Sequence, residues 1–271
     1  MKIQYKSEGL IILESSLFRT TSTLIYNQDY ILLIDPNWLP IEIDFIADLV
    51  EKYGKNKVKH LLFTHSDYDH IIGYGKFKTF KTIASQNFID NSDKASIIKQ
   101  INDFDDENYI KRDYEIVYPN IELPIALDPQ HLQIGNDEYH FYQSKGHNKD
   151  GMITFNKSQG ILIVGDYLSN IEFPYIYESF KKYKNTLVKL GHIIETEKVN
   201  ILIPGHGHFT TDKDEMKLRI KESYRYIEDL ESHVKNNMPF DFEKLFERYQ
   251  FPGIMMKFHE ANMKVLRKEM L

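Results

Sequence analysis

The 271-residue chain contains no cysteine and a single tryptophan. Without thiols, it can form no disulfide, no thiolate nucleophile and no cysteine-ligated zinc or iron–sulfur site. Any metal ion must therefore be held by histidine and carboxylate side chains. The chain also has no excess of basic residues. It contains 34 Lys and Arg and 40 Asp and Glu, and its formal net charge is −6. We therefore expect no general binding to nucleic-acid backbones.

Long apolar runs are also absent. No stretch approaches the ~18 residues that a membrane helix needs, and the N-terminal segment MKIQYKSEGLIILESS has no sustained apolar region or small-residue cleavage site. We therefore expect a cytoplasmic protein without membrane contacts, whose partner is a small-molecule substrate and which can form a homodimer. Its 42% hydrophobic content is enough for a large core.

Short strands are predicted in the first third of the chain, in the segments GLIILES, TSTLIYN and YILLIDP. The segment LPIEIDFIADLVEKYG follows with apolar residues at helical spacing, and VKHLLFT is the next strand. The order strand, helix, strand indicates an α/β fold, in which functional sites form at the carboxyl ends of strands.

Residues 86–120 are polar and acidic, and we interpret them as a helical insertion that is either a solvated cover or a lid shaping the substrate pocket. The elements predicted after it are strands HLQIG, YHFYQSKG, MITFN and GILIVG, a helix over 174–197, strand NILIPG, a long helix over 212–236, and helical segments near 241–249 and 254–269. No repeat or linker is visible. We therefore expect one domain over 1–271, with C-terminal helices over about 212–271.

Potential metal ligands follow four of the predicted strands. The run HSDYDH supplies His65, Asp67, Asp69 and His70, and three later strands end in glycine followed by His147, Asp166 and His206. Glycine permits sharp turns, so these side chains can point at a shared centre. Alternation along an extended segment directs His65 and Asp67 the same way, before the chain turns toward Asp69.

These seven groups are enough for two metal ions. We assign them as two sets and a bridge: His65, Asp67 and His147 for the first ion, Asp69, His70 and His206 for the second, and Asp166 between them. Such a pair of divalent ions can hold a bridging hydroxide near neutral pH.

The same residues resemble the metallo-β-lactamase superfamily, whose members carry HxHxDH followed by ligands in GH, GD and GH. YILLIDP is similar to the family's ILIDTG strand, with Asp35 as the structural acid, although DPN stands here in place of DTG. The resemblance covers roughly residues 20–210. It implies an αββα sandwich of two mixed β-sheets flanked by helices, the ligand assignment given above, and a role for Asp69 in orienting the nucleophile.

Asp67 departs from this pattern, because most members have histidine there. Flavodiiron proteins share the fold and have an acid in HxExDH, so Asp67 is compatible with two metal ions. The charges of two divalent ions, three aspartates and a hydroxide sum to zero. We therefore expect the site to attract anionic substrates less strongly than a site with histidine in place of Asp67. An oxygen ligand also favours iron or manganese relative to zinc. We expect two divalent ions, with zinc first and iron or manganese as alternatives.

The resemblance predicts a dinuclear metal-dependent hydrolase in which a bridging hydroxide attacks an ester, lactone, thioester or phosphodiester. Asp67 supports one alternative, a non-hydrolytic di-iron protein that binds or reduces oxygen and is related to flavodiiron proteins. A metal-retaining scaffold that senses a ligand without turnover is a third interpretation.

Substrate-binding residues are predicted near the second half of the ligand set. Tyr167, Tyr175 or its neighbour Tyr177, and His259 are the candidates, although ordinary packing is the alternative for each, since the chain has 18 tyrosines. His208 follows the ligand His206, and we expect it to support the site or lie at the surface.

Overall fold

A seven-stranded mixed sheet forms from the first half of the chain. The computed structural model describes residues 1–236, 238–249 and 251–271. The strands of this sheet lie in chain order: β1 (Lys2–Ser7), β2 (Leu10–Glu14), β3 (Thr21–Tyr26), β4 (Tyr30–Ile34), β5 (Val58–Leu62), β6 (Lys81–Ser85) and β7 (Leu123–Ile125). Strands β1 to β4 pair antiparallel, and β4 to β7 pair parallel.

A five-stranded sheet forms from the second half. Its strands are β8 (Gln130–Ile134), β9 (Asp137–Gln143), β10 (Met152–Asn156), β11 (Ile161–Ile163) and β12 (Ile201–Ile203), in the spatial order β12-β11-β10-β9-β8. Only the β11–β12 pair within this sheet is parallel, so this sheet is mixed too.

Helices cover the outer face of each sheet. Those of the first half are α1 (Pro40–Gly54), α2 (Tyr68–Ile71), α3 (Gln86–Ile89) and α4 (Lys94–Glu107); those of the second are α5 (Phe180–Thr196), α6 (Lys213–Asn236), α7 (Phe242–Arg248) and α8 (Pro252–Glu269). The described core divides into three apolar layers: one between the sheets, one beneath α1 and α4, and one beneath α5, α6 and α8. This arrangement confirms the expected αββα sandwich.

The insertion over 86–120 packs onto the first sheet. Ile97 and Ile101 of α4 are buried in the layer that this sheet shares with α1. Farther along, Phe104 contacts Trp38 with ring centroids 4.9 Å apart, and Arg112 donates a hydrogen bond to the Trp38 carbonyl at 2.8 Å. The insertion therefore covers the sheet and contacts both the ring and the backbone carbonyl of Trp38.

Three strands and one helix boundary differ from the sequence-based expectation. Strands β1, β6 and β7 were not predicted. The polar segment of β1 has no buried residue, β6 contains only two apolar residues, and β7 is three residues long and contains a proline. Helix α5 begins at Phe180 rather than near 174, since Ser179 caps it by accepting a hydrogen bond from Lys182 N at 3.3 Å. No helix in the described parts of the chain has the length and hydropathy that crossing a membrane requires.

Candidate metal centre

The predicted ligands meet at one end of the sandwich, between the two sheets. The loop after β5 brings His65 and Asp67, and the short helix α2 then turns the chain at Asp69 and His70. The other three ligands follow strands of the second sheet: His147 after β9, Asp166 after β11 and His206 after β12.

The ligand atoms fall into two groups. His65, Asp67, His147 and Asp166 offer atoms that all lie within 4.8 Å of one another, and Asp69, His70 and His206 form the second such group. In the first group the His147 Nε2 atom is 3.2 Å from Asp67 Oδ2. In the second, the His206 Nε2 atom is 3.4 Å from Asp69 Oδ2. The structure thus brings together the three residues predicted for each ion, with Asp166 as a fourth member of the first group.

Asp166 also faces the second group. Its Oδ1 is 3.1 Å from His70 Nε2, and its Oδ2 is 3.3 Å from His147 Nε2 and 3.4 Å from His206 Nε2. One carboxylate therefore faces imidazoles of both groups, which is the geometry of a bridging ligand.

The four imidazoles are oriented alike, with Nε2 toward the centre. Each donates its Nδ1 proton to a protein oxygen: His65 to Thr64 Oγ1 (2.9 Å), His70 to Asp35 Oδ2 (2.9 Å), His147 to the Tyr175 carbonyl (2.7 Å) and His206 to the Phe18 carbonyl (2.9 Å). Such bonds fix the ring and its tautomer and leave the Nε2 lone pair free to bind a metal ion.

Buried atoms without hydrogen-bond partners identify the space that suits cations. His65 Nε2, His70 Nε2 and Asp166 Oδ1 are buried, and none has a hydrogen-bond partner among the described residues. An unsatisfied buried polar atom is costly, and three of them converge here. His and carboxylate donors of this kind fit divalent metal ions.

Mutual charge interactions dominate the protonation of the ligands. Burial raises the pKa of Asp166, but His206, His70 and His65 outweigh it and hold that pKa well below the usual value. Burial lowers the pKa of His206, but Asp166 and Glu172 outweigh it and raise that pKa to about 10. Metal ions must therefore compete with protons for these imidazoles.

Asp67 is held by two further hydrogen bonds. Asn148 donates from Nδ2 to Asp67 Oδ1 at 3.2 Å, and the Tyr177 hydroxyl donates to the same oxygen. Asp67 Oδ2 remains directed at His147. The sequence analysis did not identify Asn148, although it directly follows His147 and its position in SKGHNKDG is the signal that could have indicated it.

Glycine lets the ligand loops approach closely. Gly165 has a φ of +56° just before Asp166, where an L-residue would be strained. A Cβ on Gly205 would lie 2.2 Å from Asp166 Oδ1, so no larger residue fits there without displacing that carboxylate. Glycine is therefore required before the ligands by a positive φ at Gly146 and Gly165 and by close packing at Gly205.

A pocket with a volume of about 150 Å³ opens beside the centre. Asp69, Asp166 and His206 form its polar floor, and Trp38 and Phe258 are among its aromatic walls. Trp38 belongs to the first half of the chain and Phe258 to α8, so the pocket closes only when both halves are packed together. Among the described residues, none of 86–120 lines this pocket.

The predicted substrate residues lie in different surroundings. Tyr175 lines the pocket. Tyr167 is buried, accepts a hydrogen bond from His147 N at 3.1 Å and donates to the Lys145 carbonyl at 2.9 Å, so it holds the ligand loop. His259 is buried beside Tyr226 and does not contribute to the described pocket lining. Burial lowers the pKa of its imidazole to about 4.

His208 points away from the centre. Its Nε2 atom lies 2.5 Å from the Nη2 atom of Arg19. Several pocket residues were not predicted, and Glu172 is among them. It is one of two glutamates in the segment NIEFPYIYESF, and no neighbouring motif would have indicated it.

Known proteins share this architecture. A metallo-β-lactamase family protein from Thermus thermophilus matches with a TM-score of 0.64 and 17% identity, covering 97% of this chain and 94% of that one. A stereoselective inverting sec-alkylsulfatase from a Pseudomonas species matches with a TM-score of 0.63 and 14% identity, covering 86% of this chain and 42% of the other. At such identities these matches establish the fold.

Sequence comparison identifies the family. The metallo-β-lactamase type 2 of Bacillus cereus is 25% identical over 185 residues, which are 65% of this chain and 62% of that relative, so less than two thirds of the relative is spanned. The model of the metallo-β-lactamase superfamily matches residues 16–206, which contain every ligand described above. The chain belongs to the metallo-β-lactamase superfamily.

Proposed function

We propose that this protein is a dinuclear metal-dependent hydrolase that acts on an uncharged or weakly charged ester, lactone, thioester or phosphodiester. The observation that carries the proposal is the convergence of four imidazole Nε2 atoms and three aspartates, with buried atoms that lack partners. Divalent ions bound there would polarise the scissile carbonyl or phosphoryl group and activate water.

The chain's own residues have separate tasks in this proposal. Asp69 lines the pocket, and its Oδ2 is 3.4–3.5 Å from the Nε2 atoms of His206 and His70. It can accept a hydrogen bond from the attacking water and orient it toward the substrate. Asp166 offsets positive charge at both groups, and the pocket walls exclude bulk solvent from the reacting bond.

The test is a panel of activated esters, lactones, thioesters and phosphodiesters, assayed with protein loaded separately with zinc, manganese or iron. We expect turnover that requires metal and survives the exclusion of oxygen. Asp69→Asn should lower kcat while the protein still folds, and Asp103→Asn on the exposed face of α4 is the charge-matched control.

The carboxylate of Asp67 favours one alternative function, that of an oxygen-reducing di-iron protein, because a carboxylate at this ligand position suits a di-iron centre. Oxygen consumption with an electron donor, together with an iron–oxo absorption band that bleaches on reduction and no turnover of the panel, would replace the hydrolase proposal with an oxygen-reducing one.

A further inference from the structure

Glu172 is a pocket carboxylate outside the seven metal ligands. It follows a turn in which Ser169 Oγ accepts hydrogen bonds from the backbone N–H groups of Ile171 at 3.1 Å and of Glu172 at 3.2 Å. Its side chain lines the pocket together with Asp69, Asp166 and His206. A carboxylate in such a position gains from a cationic partner.

The charges in the pocket leave no excess for an anionic substrate. Four carboxylates line it, those of Asp67, Asp69, Asp166 and Glu172, and no lysine or arginine is found in the lining over the part of the chain that is described. Two divalent ions would contribute +4, these carboxylates −4 and a bridging hydroxide −1, which leaves a formal charge of −1. An anionic substrate group would therefore meet no net attraction, and at Glu172 it would meet repulsion.

Aromatic side chains surround the same space. Phe18 and Trp38 stack with ring centroids 5.7 Å apart, and Tyr175 and Phe258 stack at 4.3 Å with an interplanar angle of 14°. All four line the pocket. Aromatic faces attract organic cations, and the attraction grows when the cation is shielded from water.

We propose that this pocket binds an organic ammonium group, with the cation against the Glu172 carboxylate and the aromatic walls and the hydrolysable bond toward the metal centre. The assignment of the hydrolysable bond depends on the proposed hydrolase function, whereas the binding of the cation does not. The substrate class is then an ester or phosphodiester that carries an alkylammonium group.

Binding of the cation can be measured without turnover, because Trp38 is the only tryptophan in the chain and lines the pocket. Its fluorescence is titrated at pH 8 with benzyltrimethylammonium and, for comparison, with neutral benzyl alcohol, on protein as purified and on zinc-loaded protein. We expect Glu172→Gln to weaken cation binding by at least about tenfold and to change benzyl alcohol binding by less than about twofold.

Two further variants separate a local effect from general ones. Glu260→Gln removes an exposed charge from α8 and should leave cation binding unchanged. Phe258→Leu should weaken cation binding more than benzyl alcohol binding, which also provides a test if Glu172→Gln does not fold. Equal cation binding by the parent and Glu172→Gln, or equal losses in Glu172→Gln and Glu260→Gln, would overturn the proposal.

The two proposals fail in different ways. A protein that binds the cation through Glu172 but hydrolyses nothing retains the ammonium site and loses the hydrolase function. A protein with metal-dependent turnover whose affinity for the cation is insensitive to Glu172 retains the hydrolase function and loses the ammonium site.

Discussion

Asp67 depends on two side chains, those of Asn148 and Tyr177, that are not themselves metal ligands. One of its oxygens accepts hydrogen bonds from Asn148 and Tyr177, and the other faces the His147 imidazole. A carboxylate can rotate and present either oxygen, so these two donors select the orientation in which Oδ2 points toward the centre. Tyr177 therefore acts on the first metal group through Asp67.

Tyr177→Phe should weaken the first metal ion selectively. Loss of an outer hydrogen bond to a ligand typically costs about 10–100-fold in metal affinity, and we expect this loss at one of two ions. Titration with zinc, followed by elemental analysis, measures both affinities. Tyr175→Phe is the matched control, since it removes a neighbouring hydroxyl that does not bond to Asp67. An equal loss at both ions would contradict the selective role.

Asp67→His should preserve two metal ions while shifting preference toward zinc, because imidazole replaces a hard anionic oxygen. The formal charge of the centre rises by one, so phosphate should inhibit this variant more strongly than the parent. Asp67→Ala should weaken the first ion without affecting the second. Metal content and phosphate inhibition of the three proteins test this, and unchanged metal affinity in Asp67→Ala would remove Asp67 from the ligand set.

At the scale of single elements, helix α1 fixes the loop between β2 and β3. Glu42, in the first turn of α1, accepts hydrogen bonds from Ser15 Oγ at 2.7 Å and from Ser16 N at 2.9 Å. The same loop carries Phe18, whose carbonyl accepts the Nδ1 proton of His206. A buried glutamate on a helix distant from the ligand motifs therefore helps to orient a metal ligand.

Glu42→Gln should destabilise the fold by about 1–3 kcal/mol near neutral pH. The two serine donors use both carboxylate oxygens of Glu42, whereas a glutamine amide has only one acceptor oxygen. Burial raises the pKa of Glu42, but the hydrogen bonds from Ser16 and Ser15 outweigh it, and the folded-state pKa lies below 4.5. This stabilisation is therefore present above pH 4.5 and is lost as the pH falls through the lowered pKa.

Urea unfolding of the parent and Glu42→Gln at several pH values measures the difference. Glu51→Gln, which changes an exposed glutamate of the same helix, is the control. A difference between parent and Glu42→Gln that grows toward low pH would have the wrong sign for this interpretation.

At the scale of the whole molecule, the candidate metal centre lies between the two sheets. His65, Asp67, Asp69 and His70 follow a strand of the first sheet, whereas His147, Asp166 and His206 follow strands of the second. Asp166 contacts imidazoles from both sides. Ions bound there would link the sheets at one end and favour the folded state over the unfolded chain.

Chelation should therefore lower the melting temperature. An ion present at 100 times its Kd stabilises the native state by about 2.7 kcal/mol, and roughly 2–4 °C of melting temperature corresponds to each kcal/mol in a protein of this size. Calorimetry with and without chelator measures the shift, which Asp166→Asn should reduce and Asp103→Asn should leave intact. An unchanged melting temperature after chelation would argue against ions linking the sheets.

The sequence by itself predicted the seven candidate ligands, which the structure brings together, and the order of the main elements. Ligand identity is a local chemical property, and the HSDYDH run and the glycine–ligand pairs each follow an apolar strand that is recognisable from its own residues. The αββα sandwich was predicted through the family resemblance that these motifs carry, and the observed sheets agree with it.

Only the tertiary structure decided what surrounds the ligands. Glu172 lines the pocket with Trp38 and Phe258. These residues come from three distant parts of the chain, and a local sequence pattern cannot predict that they lie close together. His259 is a predicted substrate-binding residue, yet it is buried among aromatic side chains. Apolar burial has no preferred direction, so the packing of α8 against α5 and α6 selects which face of the helix meets the pocket and which meets the core.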